Sequence, residues 1–125
     1  MTPKLELYCV TNKRVPHLEN LQINFGCVST ENFPPTYIRC DKGQNIFYKE
    51  KYYSELTFHY WFWKNKLRLN NENWIGFCQK RRLWIRYDSK EKEINKHNFK
   101  DHLLLEPDQR WNNYDSIICN KIFVN

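Results

Sequence analysis

The chain has 125 residues, a formal net charge of +6 and an aromatic content of 17%. This length predicts one domain, residues 1–125, whose core needs neither disulfides nor metals, and the aromatic content excludes a disordered chain. No apolar run approaches the roughly 20 residues of a membrane span, and the amino terminus lacks the apolar segment of a secretory signal, so we expect a cytoplasmic protein. The positive charge fits nucleic acid, an anionic membrane face or a polyanionic small ligand, and equally a basic surface without function.

The amino-terminal half alternates short apolar segments with polar or proline-containing ones. Leu5–Val10 is apolar and ends in a polar turn, whereas Leu18, Leu21 and Phe25 have helical spacing. Phe33 to Thr36 contains two prolines, which exclude regular structure there. In chain order we expect a strand over 5–10, a short helix over 15–25, the start of a strand at 27–28, a strand over 37–40 and a loop over 41–45.

The strongest helical pattern covers residues 52–66. One face would carry Tyr53, Leu56, Thr57, Tyr60, Trp61 and Lys64, spaced at i, i+3, i+4, i+7, i+8 and i+11. We expect this face to be buried, with Trp61 in the core and Trp63 at its edge. Trp74–Cys78 is apolar on both faces and predicts a central parallel strand. Residues 88–102 are charged and predicted to be exposed, and residues 114–119 predict a further strand.

Strands alternating with helical segments predict an α/β fold with a mainly parallel sheet and flanking helices. In such a sheet the strands over 5–10 and 74–78 would end at the same edge. Ligands bind outside the carboxyl ends of parallel strands, and Lys80-Arg81-Arg82 directly follows the second strand. The pattern favours a phosphate-bearing ligand on these three side chains over a solvated basic loop.

The cysteines and histidines predict no metal or disulfide framework. The five cysteines are odd in number and contain no C-x-x-C pair, and the four histidines have no ligand spacing. Cys9, Cys78 and Cys119 lie in apolar runs, where a free cysteine behaves as a small buried hydrophobe.

Five blocks of the sequence carry a family resemblance. Leu7 to Lys13 is similar to a pattern I-Y-V-x-T-H-K, Gly43 to Ile46 to G-D-N-I, and Tyr114 to Cys119 to Y-D-I-I-L-P. The two most specific blocks are Tyr53 to Asn65, similar to Y-C-E-L-T-x-x-Y-W-x-W-K-N, and Ile75 to Leu83, similar to I-G-L-C-H-Y-R-R-Y. In this order and spacing the chain resembles a bacterial glycosyltransferase-like family of capsular and exopolysaccharide gene clusters, most of whose members are domains of unknown function.

The resemblance implies a GT-A or Rossmann-like fold and a nucleotide-sugar-dependent transferase of the hexosyltransferase type. Members of this family run about 100 residues further, and their total length is the usual size of an α/β catalytic domain. The resemblance therefore implies that this chain is a truncated, donor-binding half. The residues implied for the donor are Lys80, Arg81 and Arg82 for the diphosphate, Thr11, Asn12 and Lys13 for the nucleotide, and Asn45, Glu55 and Thr57 for the sugar. The sequence departs from the family pattern at Asn12, Gln44, Gln79 and Lys80.

The partners implied are a nucleoside diphosphate sugar and a glycan or lipid-linked acceptor, with a peripheral position at the inner membrane or on a protein partner as further options. Mn²⁺ or Mg²⁺ is a cofactor in many such enzymes, but this sequence has no D-x-D pair, and arginines would supply the charge instead. No catalytic base is identified. The alternatives are a non-catalytic nucleotide-sugar-binding or partner-binding module and a basic nucleic-acid-binding domain, which lacks a recognisable binding motif.

Overall fold

The computed structural model describes residues 3–68 and 72–120, which form a four-stranded parallel sheet with helices. The elements are β1 (Leu5–Thr11), β2 (Asn24–Cys27), β3 (Tyr37–Arg39), α1 (Glu50–Tyr53), α2 (Leu56–Asn65) and β4 (Trp74–Cys78). Short 3₁₀ helices occupy Pro16–Leu18, Phe47–Lys49, Tyr87–Ser89, Phe99–His102 and Gln109–Trp111. The α/β fold with a parallel sheet is confirmed.

The strand order is β3-β2-β1-β4, and every pair is parallel. β1 lies between β2 and β4, and its residues Leu7–Thr11 are therefore all buried. β4 was predicted to be central, and this is wrong: it lies at the edge, where Trp74 to Phe77 are only half-buried. The apolar composition of β4 misled the prediction because Trp84 and Trp111 shelter it, in place of a further described strand.

The two faces of the sheet carry separate clusters of buried side chains. One face holds Cys9, Leu18, Phe25, Tyr37 and Cys78, covered by loops and 3₁₀ turns. The other face holds Tyr8, Val10, Val28, Phe58 and Phe62, the last two supplied by α2. A single helix therefore covers one face of this sheet.

The predicted helix over 52–66 is two helices, divided at Ser54. Ser54 has φ +47° and ψ −117°, a backbone conformation that residues other than glycine rarely adopt. Its amide still donates to the Glu50 carbonyl at 2.7 Å. α2 then begins at Leu56. Periodicity does not detect such a break, because the apolar spacing continues across it.

The predicted buried face of this helix is confirmed at Thr57 and is wrong at Tyr53, Leu56 and Lys64. Thr57, Phe58 and Phe62 are the buried residues of α2, whereas Leu56 is 58% exposed, Tyr53 46% exposed and Lys64 exposed. Trp61 is half-buried and Trp63 is 57% exposed. The reason is Gly26: its missing side chain leaves the space that the Phe58 ring occupies, and a Cβ there would collide with that ring.

The specific block around α2 also anchors the loop over 41–45. Trp61 Nε1 donates to the Lys42 carbonyl at 2.7 Å, and Asn65 Nδ2 donates to the Gln44 carbonyl at 2.8 Å. Gly43 has φ +72° and lies against the Asn65 side chain, so glycine is required there for both reasons. The two resemblance blocks therefore meet in space and hold one another.

Four other predictions concern secondary structure. The helix over 15–25 is wrong: only Pro16–Leu18 is helical, because β2 begins at Asn24. The strand expected at 27–28 is β2, which ends at Cys27, and the strand over 37–40 is confirmed as β3. The strand over 114–119 is wrong, since that segment has no regular structure and Ile118 is 86% exposed.

The remaining expectations concern exposure. Residues 88–102 are largely exposed as predicted, with Ser89 buried. All five cysteines are free thiols; Cys119 is exposed, contrary to its prediction, whereas Cys9 and Cys78 are buried. Among the described residues, no helix has the length and hydrophobicity needed to cross a membrane.

Phe58→Ala should lower the free energy of unfolding by about 3–5 kcal/mol, because it empties a fully buried site that Gly26 cannot refill. The matched control is Trp63→Ala on the exposed face of the same helix, for which we expect less than about 1 kcal/mol. Urea denaturation of both variants measures the difference. Equal losses would contradict the orientation of α2 in which Phe58 faces Gly26 and Trp63 faces solvent.

Ser54→Gly should raise the free energy of unfolding by about 1 kcal/mol. Glycine adopts the positive φ without strain in the folded chain, and we expect this gain to exceed the entropy that glycine adds to the unfolded chain. Ser54→Ala is the control, since it removes the hydroxyl and keeps the strained backbone; we expect it to stay close to the original protein. Denaturation curves compare the three chains. A destabilised glycine variant would contradict the assigned backbone conformation.

Candidate functional site

A pocket of about 320 Å³ opens at the carboxyl ends of β1 and β4. The residues after β1 form one wall, the turn after β4 forms the second, and the start of α2 closes the third. Its lining residues are Val10, Thr11, Asn12, Val28, Ser54, Glu55, Gln79, Lys80 and Arg81. This edge is where parallel α/β sheets place their ligands.

The pocket brings together five of the nine predicted site residues: Thr11, Asn12, Glu55, Lys80 and Arg81. They come from three distant segments. Lys80 Nζ donates to Asn12 Oδ1 at 3.4 Å although the two residues are 68 positions apart. The pairing of Cys9 with Cys78 in neighbouring strands explains this, because it aligns the chain segments that leave β1 and β4.

The cationic wall is a tight turn. The Gln79 amide donates to the Arg82 carbonyl at 3.2 Å, and the Arg82 amide donates to the Gln79 carbonyl at 3.1 Å. Lys80 and Arg81 therefore occupy the tip of the turn and line the pocket, whereas Arg82 is exposed and lies outside the lining. The three consecutive cations do not share one position.

Glu55 supplies the carboxylate of the pocket. Gln79 Nε2 donates to Glu55 Oε2 at 2.5 Å, which connects the start of α2 to the turn after β4. Glu55 is half-buried and has a second carboxylate oxygen as an acceptor. The pocket therefore presents cationic donors on one wall and a fixed carboxylate on another, a combination that suits a ligand carrying both phosphate and hydroxyl groups.

The segment after β1 is held by its own hydrogen bonds. Thr11 Oγ1 donates to the Lys13 carbonyl at 2.6 Å and accepts from the Lys13 amide at 3.2 Å. Ser29 Oγ donates to the Asn12 carbonyl at 2.7 Å. These contacts place the Asn12 side chain at the pocket, while Lys13 is exposed and outside the lining.

Two predicted sugar-binding residues lie away from the lining. Asn45 organises its own loop: Nδ2 donates to the Gly43 carbonyl at 2.8 Å, and Oδ1 accepts from the Phe47 amide at 3.0 Å. Thr57 is fully buried in α2, and its Oγ1 has no hydrogen-bond partner among the described residues. Asn45 is half-buried and bonded within its own loop, and Thr57 is buried in the core, so neither side chain lines the pocket.

Ser54 is a lining residue that the sequence reasoning missed. Ser54 and Glu55 line the pocket directly before α2, which begins without a side-chain cap from any described residue. In the sequence, Ser54 follows two tyrosines and precedes Glu55. Serine is common directly before a helix, so this residue could have predicted that a helix begins there.

A buried thiol pair lies beneath the edge of the sheet, at Cys9 and Cys78. The hydrogen bond from Cys78 lowers the pKa of the Cys9 thiol, and the same bond together with burial raises the pKa of Cys78. Neither residue lines the pocket. Within residues 3–68 and 72–120, no three His, Cys, Asp or Glu side chains are grouped to hold a metal ion.

Comparison with known proteins gives a family and no characterised relative. No curated protein and no solved structure matches the chain. A family model matches residues 7–124, nearly the whole sequence and all three segments that form the pocket. The chain therefore belongs to the family described as a domain of unknown function, DUF4422.

Proposed function

We propose that this chain is a nucleotide-sugar-dependent glycosyltransferase domain, or the donor-binding portion of one, in bacterial surface polysaccharide assembly. The observation that carries the proposal is the convergence of Thr11, Asn12, Glu55, Lys80 and Arg81 on one pocket at the carboxyl edge of a parallel sheet. The volume of about 320 Å³ is at the lower end of the range for small-ligand sites. That size suits a diphosphate and part of a sugar.

Lys80 and Arg81 are assigned to the donor diphosphate. When the glycosidic bond to the donor breaks, negative charge grows on the departing phosphate, and fixed cations stabilise that charge more than they stabilise the ground state. The arginine fork can bind two phosphate oxygens, and the lysine adds a point charge held towards Asn12.

Glu55 is assigned to a sugar hydroxyl. Its carboxylate is held by Gln79 at 2.5 Å, so its position is fixed before a ligand arrives. Thr11 and Asn12, at the end of β1, are assigned to the nucleotide, where the Asn12 amide can donate and accept. A phosphate next to Glu55 would be repelled, which places the phosphates towards the turn and the sugar towards α2.

A second function, a non-catalytic nucleotide-sugar-binding module, is favoured by one observation. Glu55 is the one carboxylate among the described lining residues, and Gln79 already engages it, so the pocket offers no separate base for an acceptor hydroxyl. Incubation of the protein with a bound donor distinguishes the two functions. Release of nucleoside diphosphate supports the transferase, whereas binding without release over hours supports the module.

Replacement of Lys80 and Arg81 by alanine should weaken nucleoside diphosphate binding about 100-fold, because two charge-assisted hydrogen bonds are lost. Arg82→Ala is the matched control: it removes a cation from the same turn, outside the lining, and should change affinity less than about threefold. Calorimetry with uridine, guanosine, cytidine and thymidine diphosphates, with and without Mn²⁺, measures both.

Unchanged affinity in the double variant, or an equal loss in Arg82→Ala, would contradict the assignment of the diphosphate to the tip of the turn. Absence of binding by the unaltered chain to all four nucleotides, in both metal conditions, would contradict the proposed function itself. Melting temperatures of the variants exclude unfolding as the cause of a loss.

A further inference from the structure

The outer face of α2 is an apolar stripe that no described residue covers. Leu56, Tyr60 and Trp63 are spaced at i, i+4 and i+7, which aligns them along one side of the helix. Leu56 and Trp63 are 58% and 57% exposed, and Tyr60 is half-exposed, its ring edge-on to Trp63 at 5.9 Å. We call these three residues the outer stripe.

The opposite side of the same helix is buried in the core through Phe58 and Phe62. A helix that carries apolar residues on two opposite sides normally buries both of them. α2 is enclosed on one side only, so its composition exceeds what the core requires. An exposed apolar surface of this kind marks an interaction site.

Lysine side chains accompany the outer stripe. Lys64 Nζ lies 3.7 Å from the centroid of the Trp63 ring and 5.9 Å from that of Tyr60. Residues 47–64 contain three basic side chains, Lys49, Lys51 and Lys64, and two acidic ones, of which Glu55 lies at the pocket. The face therefore combines leucine, tryptophan and tyrosine with a net positive charge, which is the composition of interfacial amphipathic helices.

The short helical segment before Ser54 extends the same chemistry. Tyr48 and Tyr52 are each 75% exposed, and Tyr53 is 46% exposed. Lys49 Nζ lies 5.5 Å from the Tyr48 ring and 5.9 Å from the Tyr53 ring, and Lys51 Nζ lies 5.1 Å from the Tyr52 ring. These tyrosine–lysine pairs adjoin the amino end of the outer stripe across the Ser54 turn.

We propose that the outer stripe and the adjoining tyrosine–lysine pairs bind the surface of a lipid bilayer that carries anionic headgroups. Tyrosine and tryptophan rings lie at headgroup level, leucine enters the acyl boundary, and lysine side chains extend to the phosphates. The anionic surface attracts the net positive charge of this face. A second copy of the chain would present the same positive face, so charge complementarity favours the membrane over self-association.

Docking in this way brings the pocket to the membrane. Ser54 and Glu55, which line the pocket, directly precede α2, whose ten residues span about 15 Å. The acceptor that fits this arrangement is lipid-linked, and that consequence rests on the proposed function. Membrane binding itself rests on the outer stripe and the tyrosine–lysine pairs, and not on the pocket.

The test is flotation of the full chain with vesicles of phosphatidylcholine alone and of phosphatidylcholine with about 30% phosphatidylglycerol. We expect the chain to float with the anionic vesicles only, and to be released by salt because the lysine contribution is screened. No binding to the anionic vesicles, or equal binding to both compositions, overturns the proposal.

Variants locate the binding surface. Leu56→Gln with Trp63→Gln should weaken binding to the anionic vesicles about tenfold, whereas the control Ile118→Gln, at a residue 86% exposed elsewhere, should not. Lys51→Gln with Lys64→Gln should weaken it about 30-fold, against no more than a few-fold for Lys92→Gln with Lys96→Gln. Unchanged binding in both stripe and lysine variants overturns the assignment to α2.

Sedimentation velocity separates the membrane from the other occupants of this face. Self-association of the unaltered chain that is abolished by Leu56→Gln with Trp63→Gln identifies a second copy as the partner and overturns the proposal. The vesicle assay contains no nucleotide, and the calorimetry contains no lipid. Failure of one therefore leaves the other standing.

Discussion

The parallel pairing of β1 with β4 is the constraint on which the site depends. These strands are separated by more than 60 residues, yet their pairing from Leu5–Trp74 to Cys9–Cys78 brings both carboxyl ends to one edge. In a parallel pair, side chains that follow the two strands emerge side by side. The Lys80–Asn12 contact is the direct result, and a shift of register by one residue would turn the paired side chains to the opposite face.

The contact between Phe58 and Gly26 sets the third wall of the pocket. By accepting the ring at the space of a missing side chain, β2 fixes the rotation of α2 and its distance from the sheet. α2 must then begin where Glu55 faces the turn after β4, and the backbone reaches that point only through the strained turn at Ser54. Core packing on one side of the helix thus positions a polar group at its end.

Composition and the order of apolar segments predicted the parallel sheet and the edge at which the site lies. They did not predict which neighbouring side chains point into the pocket or which side of α2 is buried, because tertiary packing decides both. Alternation of apolar segments predicted the parallel sheet and its edge, hence the grouping of Thr11, Asn12, Lys80 and Arg81. It could not separate Arg81 from Arg82, because a two-residue turn closed by the Gln79–Arg82 pair directs neighbouring side chains apart. The sequence misassigned most of the buried face of α2 because this helix carries apolar residues on more than one side, and the contact of Phe58 with Gly26 decides which side is buried.

Three of the four departures from the resembled family pattern, all except Gln44, lie in the pocket and give it a distinct chemistry. Asn12 and Gln79 stand where that pattern has histidines, and Lys80 stands where it has a tyrosine. Asn12 and Lys80 contact each other, and Gln79 contacts Glu55, so the three changes fall on two interacting pairs. Relative to that pattern, side-chain amides replace two imidazoles, and an amine replaces a phenol. The charged side chains that line the pocket are then Glu55, Lys80 and Arg81.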